Sequence, residues 1–327
     1  MINKKILDKL TPITEEEKAI LSGEQIDKSL YVSKNTDVIS SKKLMEEGKL
    51  ITVRPHTRFV HFPKHSHDYI EVIYMCSGTT THIINGKKIV LNEGELLFLG
   101  QNASQEILPA KQNDIAVNFI ILPEFFDSSL AMLGNEDTLL RRFIIEHLKS
   151  DGKKSSFLHF EVSDILPVQN LVENLIWTLI TKTANKRKIN QYTMGLLFIC
   201  LLNQTDRLVN YSDENNFIIK VLAYVEENYK SGSLTELASL LHYDLYWFSK
   251  EIKRRFGKTY TEIVQQKRLS QACFLLRTTD LNVLDISIQT GYSNASYFHR
   301  IFKNNFGMSP RQYRKLNSEN RKNAFGK

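Results

Sequence analysis

Five side chains in the first third of the sequence are of the types that hold small ligands. His65 and His67 are separated by one residue, Glu71 follows four residues after His67, Met75 follows four after that, and Gln105 lies further on. A neutral imidazole is a good ligand for a divalent first-row metal, whereas a carboxamide oxygen is a poor one. His65, His67 and Glu71 could therefore hold a metal with open coordination positions. The same groups, with Gln105 beside them and Met75 among apolar walls, could instead line a pocket for a small polyhydroxylated or amphipathic molecule. They could also be hydrogen-bonded residues with no ligand role. Arg54 and Arg58, just upstream, either supply a cation for an anionic ligand or sit on the surface.

The elements that must position these residues are strands. From Ile51 to Leu122 apolar and polar residues alternate in short runs such as YIEVIYMCSG, TTTHIING, KKIVLNEG, ELLFLG and DIAVNFIIL. Many short antiparallel strands of this kind build a barrel or a double-sheet sandwich. Asn85-Gly86 and the stretch Asn92 to Gly94 carry hairpin-turn chemistry. If His67 and Glu71 face inward, strand alternation turns Ile73 and Met75 inward and Val72 and Tyr74 outward.

A second set of candidate residues lies near the end of the chain, where one pattern occurs twice. LTELASLLHYDLYWFSKEIKRRFG (Leu234 to Gly257) and NVLDISIQTGYSNASYFHRIFKNNFG (Asn282 to Gly307) each read as a short helix, a turn and a basic aromatic helix ending in Phe-Gly. An ungapped alignment places Leu237 over Ile286, Leu241 over Thr290 and Asp244 over Ser293. Asp244 and Ser293 are then the expected N-caps of the second helices. Their apolar positions, Phe248, Ile252 and Phe256 and then Phe298, Phe302 and Phe306, bury one face. The other face is left free to enter a DNA major groove, where each base pair shows its own donor and acceptor pattern. The candidates on it are Tyr246, Trp247, Ser249, Lys250 and Lys253 in the first copy, and Asn294, Ser296, Tyr297, His299, Arg300 and Lys303 in the second. Arg300 suits guanine and Asn294 adenine.

The string SYFHRIFKNNFGMSPRQYR (Ser296 to Arg314) resembles the signature of the AraC/XylS family of bacterial transcription regulators. Phe298, Phe302, Lys303, Phe306, Gly307, Ser309, Pro310 and Tyr313 stand at the family's places. KRLSQACFLL (Lys267 to Leu276) is similar to its long connecting helix. Glu251 and Ile252 depart from the family pattern of an apolar residue followed by Phe. HSHDYIEVIYMCSG (His65 to Gly78) resembles the first motif of the cupin superfamily, whose metal-binding members add a His from a second motif. Here Gln105 occupies that place, so the full metal set is missing. The resemblance implies a protein that is not an enzyme and carries no cofactor, metal at His65, His67 and Glu71 being the exception to test. Its implied partners are double-stranded promoter DNA, a small-molecule effector such as a sugar, a second copy of the chain and, for an activator, RNA polymerase. The rival readings are a metal-dependent cupin enzyme with an accessory DNA-binding domain and a constitutive dimeric regulator without effector.

Charge divides along the same line. Residues 215–327 hold 18 Lys and Arg against 9 Asp and Glu, and residues 1–214 hold 25 against 27. A basic excess confined to the last third fits phosphate contact there. The three cysteines stand singly and read as buried reduced thiols. No apolar run is long enough for a membrane span, and the N-terminus lacks the apolar stretch of a signal peptide, so a cytoplasmic protein without membrane partner is expected. The expected fold is α+β and multidomain, with an arm of short helices over 1–50, a cupin-like β-barrel sensor over 51–123 and a helical dimerisation spacer over 124–209. A linker over 210–216 and an all-α tandem helix-turn-helix domain over 217–327 complete it. In the spacer, the stripe Ile165, Val168, Leu171, Val172, Leu175, Ile176 and Leu179 is the candidate dimer contact.

Overall fold

The computed structural model describes residues 2–32, 36–101, 103–126, 157–209 and 213–325. The described chain divides into two compact units, one ending at residue 209 and the other beginning at 213.

The first unit opens with α1 (Lys4–Leu10) and α2 (Glu15–Leu21), and Thr14 and Glu17 form the capping box that starts α2. Then come β1 (Val38–Ile39), α3 (Ser41–Leu44), β2 (Ile51–Pro55), β3 (Phe62–His67), β4 (Ile70–Ser77), β5 (Thr79–Ile84) and β6 (Lys87–Asn92). β7 (Leu96–Leu99), β8 (Gln105–Ile107), β9 (Ile115–Ile121) and β10 (Phe157–Phe160) precede the helices α4 (Leu166–Ile180) and α5 (Lys186–Leu202) and the two-residue β11 (Leu208–Val209). One sheet runs β1-β3-β8-β5-β6 and the other β11-β10-β7-β4-β9-β2. Between them Ile73, Met75, Ile84, Ile89, Leu91, Leu97 and Leu99 form a dry core. The β5–β6 hairpin turns on Asn85 and Gly86, both at positive φ (52° and 80°). That is the geometry a two-residue turn needs to match strand twist.

The sheets extend past 51–123 at both ends. β1 pairs in parallel with β3, and β10 pairs with β7 from within the stretch read as all helical. Residues 127–156 of that stretch lie outside the described residues. On β4 the alternation holds, but Val72 and Tyr74 do not meet solvent. Both are buried, and the Tyr74 hydroxyl donates to Gln169 of α4 (2.6 Å). The stripe expected to make a dimer contact is largely used within the unit, since Val168, Val172, Leu175 and Ile176 are all buried. The exposed apolar residues of this helix pair are instead Leu166 and Trp177 on α4, and Ile189, Tyr192 and Leu196 on α5.

The arm of short helices packs on the barrel. Arg58, read from sequence as a candidate ligand cation, is buried and committed to this contact. It pairs with Glu17 (2.7 Å) and donates to the carbonyls of Thr11, Pro12 and Gln112.

The second unit consists of α6 (Asp213–Asn228), α7 (Leu234–Leu240), α8 (Leu245–Phe256), α9 (Tyr260–Thr278), α10 (Val283–Gln289), α11 (Ala295–Phe306) and α12 (Pro310–Phe325). α6 begins inside the stretch read as a linker, of which residues 210–212 lie outside the described residues. Two cores alternate along the unit. Phe217, Val221, Leu237, Phe248 and Ile252 fill one, and Ile286, Tyr292, Phe298 and Phe302 fill the other. α9 serves both, giving Tyr260, Ile263 and Val264 to the first and Leu269, Ala272, Cys273 and Leu276 to the second. Ile252, at one of the two positions that depart from the family pattern, is fully buried like its counterpart Phe302. No described helix is long and apolar enough to cross a membrane. All three cysteines are free, Cys76 and Cys273 being buried and Cys200 half-buried.

Candidate effector chamber and DNA-reading faces

β3, β4 and β9 bring a polar cluster to one end of the barrel. His65 and His67 alternate onto the inner face of β3, a tight turn at Asp68 and Tyr69 reverses the chain, and Glu71 continues that face on β4. These three residues, His56 and Asn118 line a cavity of about 50 Å³ with Tyr31, Phe62 and Tyr69 among its walls. Tyr31, Ile39 and Leu44 of the N-terminal segment and Arg54 of β2 line it as well. Arg54 is 3.8 Å from the Glu16 carboxylate and lies over the Tyr31 ring.

The hydrogen bonds run in two chains. His56 Nδ1 meets Asn118 Oδ1 (3.0 Å), and Asn118 Nδ2 donates to Glu71 Oε1 (2.9 Å). Gln105 Nε2 meets His82 Nδ1 (3.1 Å), His82 Nε2 meets Thr80 Oγ1 (2.9 Å), and Thr80 reaches the Met75 sulfur (3.6 Å). His65 Nδ1 donates to the Pro63 carbonyl (2.7 Å). Burial raises Glu71 to about 7, against the opposing hydrogen bonds from Asn118 and Gln105. Burial likewise lowers His56, His65, His67 and His82, so these imidazoles are neutral near pH 7.

Of the five barrel residues singled out in the sequence, His65, His67 and Glu71 line this chamber. Met75 does not, because it sits two alternations further along β4 in the dry core. Gln105 is fully buried beside His82 and is not part of the chamber wall. His67 Nε2 stands 3.7 Å from Glu71 Oε2, and among the described residues no group of three His, Cys, Asp or Glu converges as a metal requires. Sequence reasoning missed His56, His82 and Asn118. Asn118 had a readable signal, since it is the one polar residue in the otherwise apolar strand IAVNFII.

The two helix-turn-helix copies superpose in sequence with one added residue. Ala238 and Ser287 each accept the amide of the tyrosine after the turn, Tyr243 or Tyr292 (both 2.9 Å). Asp244 then caps α8, accepting from the Trp247 amide (2.8 Å), whereas Asn294 caps α11, accepting from Tyr297 (3.0 Å). Ser293 is therefore an insertion and not the cap, and Asn294 spends its side-chain oxygen on the helix start. The turn itself has positive φ in both copies, at His242 (58°) and Gly291 (89°). A Cβ on Gly291 would meet the Lys230 carbonyl oxygen at 2.7 Å, so the second turn requires glycine.

From the caps onward the register is shared. Tyr246 matches Ser296, Trp247 matches Tyr297, Ser249 matches His299, Lys250 matches Arg300 and Lys253 matches Lys303. All are exposed except the half-buried His299, with Tyr246 at 80% exposure. Tyr246, Ser249, Lys250 and Lys253 lie on one helical stripe opposite Phe248 and Ile252, and Ser296, His299, Arg300 and Lys303 on one opposite Phe298 and Phe302. In α8, Glu251 holds both Arg254 and Arg255 (2.6 Å to each), and these bonds lower its carboxyl to about 2. Lys267 and Arg268 of α9 are turned to Glu226 and to the carbonyls of Tyr229 and Lys230.

Residues 237–316 match the family model described as a helix-turn-helix domain, and residues 48–133 match that of the AraC-like ligand binding domain. The HTH-type transcriptional activator RhaS of Citrobacter koseri is 23% identical over 283 residues, covering 85% of this chain and 96% of that protein. RhaS of Mannheimia succiniciproducens is 25% identical over 268 residues, covering 81% and 93%. Among solved structures, the apo form of a ToxT variant from Vibrio cholerae aligns with a TM-score of 0.38 and 17% identity, over 83% of this chain and 98% of that one.

Proposed function

Because the chain belongs to the AraC family of transcription regulators, we propose that it reads promoter DNA through α8 and α11 under the control of a small molecule held in the barrel chamber. The observation that carries the reading is the matched pair of exposed stripes, each backed by its own buried core and set in the same register from its cap. Two such helices on one unit suit two short blocks of sequence in the major groove. Lys250, Lys253, Arg300 and Lys303 supply phosphate or guanine contacts, and Tyr246, Trp247 and Tyr297 pack on thymine methyls.

In this reading the effector acts by binding one arrangement of the protein more tightly than another and shifting their populations. No enzymatic step and no resident metal are needed. His65 and Asn118 spend ring and amide groups on protein partners, and the three acid and imidazole groups do not converge. The protein acts in the cytoplasm as a homodimer, and Ile189, Tyr192 and Leu196, exposed along α5, form an apolar face for the second copy. The relatives it resembles are named transcriptional activators, and in this reading the chain is an activator too, with RNA polymerase as a further partner.

Selection of binding sequences from random double-stranded DNA by the full chain tests this. The expected product is two conserved blocks, with Arg300→Ala and Lys250→Ala each weakening binding about tenfold or more. Unchanged affinity in both variants would overturn the assignment of the reading helices.

A further inference from the structure

A second cavity lies in the first unit, where the loop before β2 meets the helix pair α4 and α5. At about 140 Å³ it is larger than the barrel chamber, and the two share no lining residue. Leu50, Ile51, Phe125 and Leu179 give it apolar walls. Lys49, Lys186 and Arg187 line it too, and among the described residues around it there is no Asp or Glu. Glu46 pairs with Lys49 (2.7 Å) from a position 79% exposed to solvent, where water screens its charge. Arg187 spends one Nη2 on the Gly48 carbonyl (2.6 Å), which ties the start of α5 to the loop and leaves its other donors available. α5 begins here without a side-chain cap, since Asn185 sits at positive φ (54°) and makes no cap bond. The free amides of its first turn and the helix dipole add to the positive potential of the three cations. One turn in, Asn190 lines the same cavity and is only 1% exposed. Its Oδ1 is held by the Thr178 hydroxyl, and its Nδ2 has no protein partner among the described residues. A buried N–H group without an acceptor is costly to keep.

We infer that this cavity is a second ligand site, built for a compact organic carboxylate. Its carboxylate accepts from Asn190 Nδ2 and from Lys186 and Arg187, and its hydrocarbon body lies on Phe125, Ile51 and Leu179. An ionised carboxylate is acceptor-only, so it meets a lining of donors without bringing a donor of its own. An ammonium would face three like charges. A neutral alcohol of the same size would satisfy Asn190 and leave the cations unmatched, and an inorganic anion would match the cations and leave the apolar walls in water. Volume sets the size of the body, because a cavity of about 150 Å³ takes a benzene ring. A chain or ring of about five or six carbons fills the space observed. The site is independent of the barrel chamber and of the reading helices, so its fate leaves both unchanged.

Calorimetric titration of the full chain with acetate, butanoate, hexanoate and cyclohexanecarboxylate, beside hexanamide and inorganic phosphate, tests the inference. Affinity is expected to rise about fourfold for each methylene added from acetate to hexanoate, the gain from burying it. Hexanoate is expected to bind about tenfold or more tighter than hexanamide, the margin of a charge-assisted hydrogen bond. Asn190→Asp, close to isosteric but acidic, is expected to abolish hexanoate binding, and Lys186→Gln to weaken it about tenfold. Should Asn190→Asp fail to fold, Lys186→Gln and the chain-length series decide, because Lys186 is a half-buried side chain at the helix start. Equal affinity for hexanoate and hexanamide overturns the inference, as does phosphate or acetate binding as tightly as hexanoate. Hexanoate binding that survives both variants but is lost in His67→Ala places the ligand in the barrel chamber and overturns the second site. Silence from every probe overturns it too, while the DNA selection decides the reading helices separately.

Discussion

The barrel keeps its chemistry indoors, and the helical unit keeps its chemistry outdoors. His56, His65, His67 and Glu71 are all buried, and His56, His67 and Glu71 each keep one unpaired polar atom in the interior. Lys250, Lys253, Arg300 and Lys303 stand on the far side of two apolar cores, in solvent. Burying ionisable groups opposes folding unless they are neutral or paired. The difference teaches that altering the barrel's polar residues must register in stability. Altering the reading stripes registers in affinity, with the cores beneath them untouched.

The largest test of that division strikes a core. Phe302 is fully buried between Phe298, Phe306 and Tyr313, with ring centroids 5.7, 4.6 and 5.5 Å away. Phe302→Ala is expected to cost about 3–5 kcal/mol. Urea titration followed by Trp247 fluorescence in a Trp177→Phe background reads the helical unit, since the chain's other tryptophan lies in the first unit. A loss below about 1 kcal/mol would mean that this core is loosely filled.

Next in size is the pH response of the barrel. Glu71 titrates at about 7 folded against 4.5 as a free side chain, so the folded form holds a proton that the unfolded chain releases. Its contribution is complete below about pH 4.5 and lost as pH rises through about 7, a swing on the order of 3 kcal/mol. The four buried histidines act in the opposite sense. Their pKa values are lowered, so their contribution is present above about pH 6.5 and lost as pH falls. Glu71→Gln removes only the first effect. The variant should melt higher than the parent at pH 8 and lose that advantage toward pH 4.5, with thermal melts followed at Trp177. Parallel curves at every pH would mean that the carboxylate is already compensated in the native protein.

The smallest test separates two neighbouring residues. Asn294→Ala removes the α11 cap and should cost about 1 kcal/mol, whereas Ser293→Ala should cost next to nothing. Equal losses would restore Ser293 as a cap and cancel the one-residue offset between the two copies.

The helical unit was the more legible in the sequence because its determinants are local. Caps, apolar spacing and the Phe-Gly helix ends all fall within a few residues of one another. The cap of the second copy was misplaced by one residue because Ser and Asn are both good N-caps and only the backbone distinguishes them. In the barrel, alternation predicted which side chains turn inward, yet it could not say at what depth. Met75 shares the face of Glu71 but ends in the dry core. His56, Asn118 and His82 join the chamber's network through β9 pairing with β2 and β4, and β5 with β8, contacts between residues far apart in sequence. The commitment of Arg58 to Glu17 was invisible for the same reason.

The shared helix α9 has a consequence for promoter grammar. A rod of 19 residues, about 28 Å long at 1.5 Å per residue, is cemented into both cores and leaves no joint between the reading helices. Adding one base pair between two DNA blocks moves the second by about 3.4 Å and turns it by roughly 34° around the duplex. A protein with a jointed connector could follow that change, whereas here the duplex itself would have to twist or bend to restore the fit. Spacing between the blocks is therefore as much a part of the address as the bases within them.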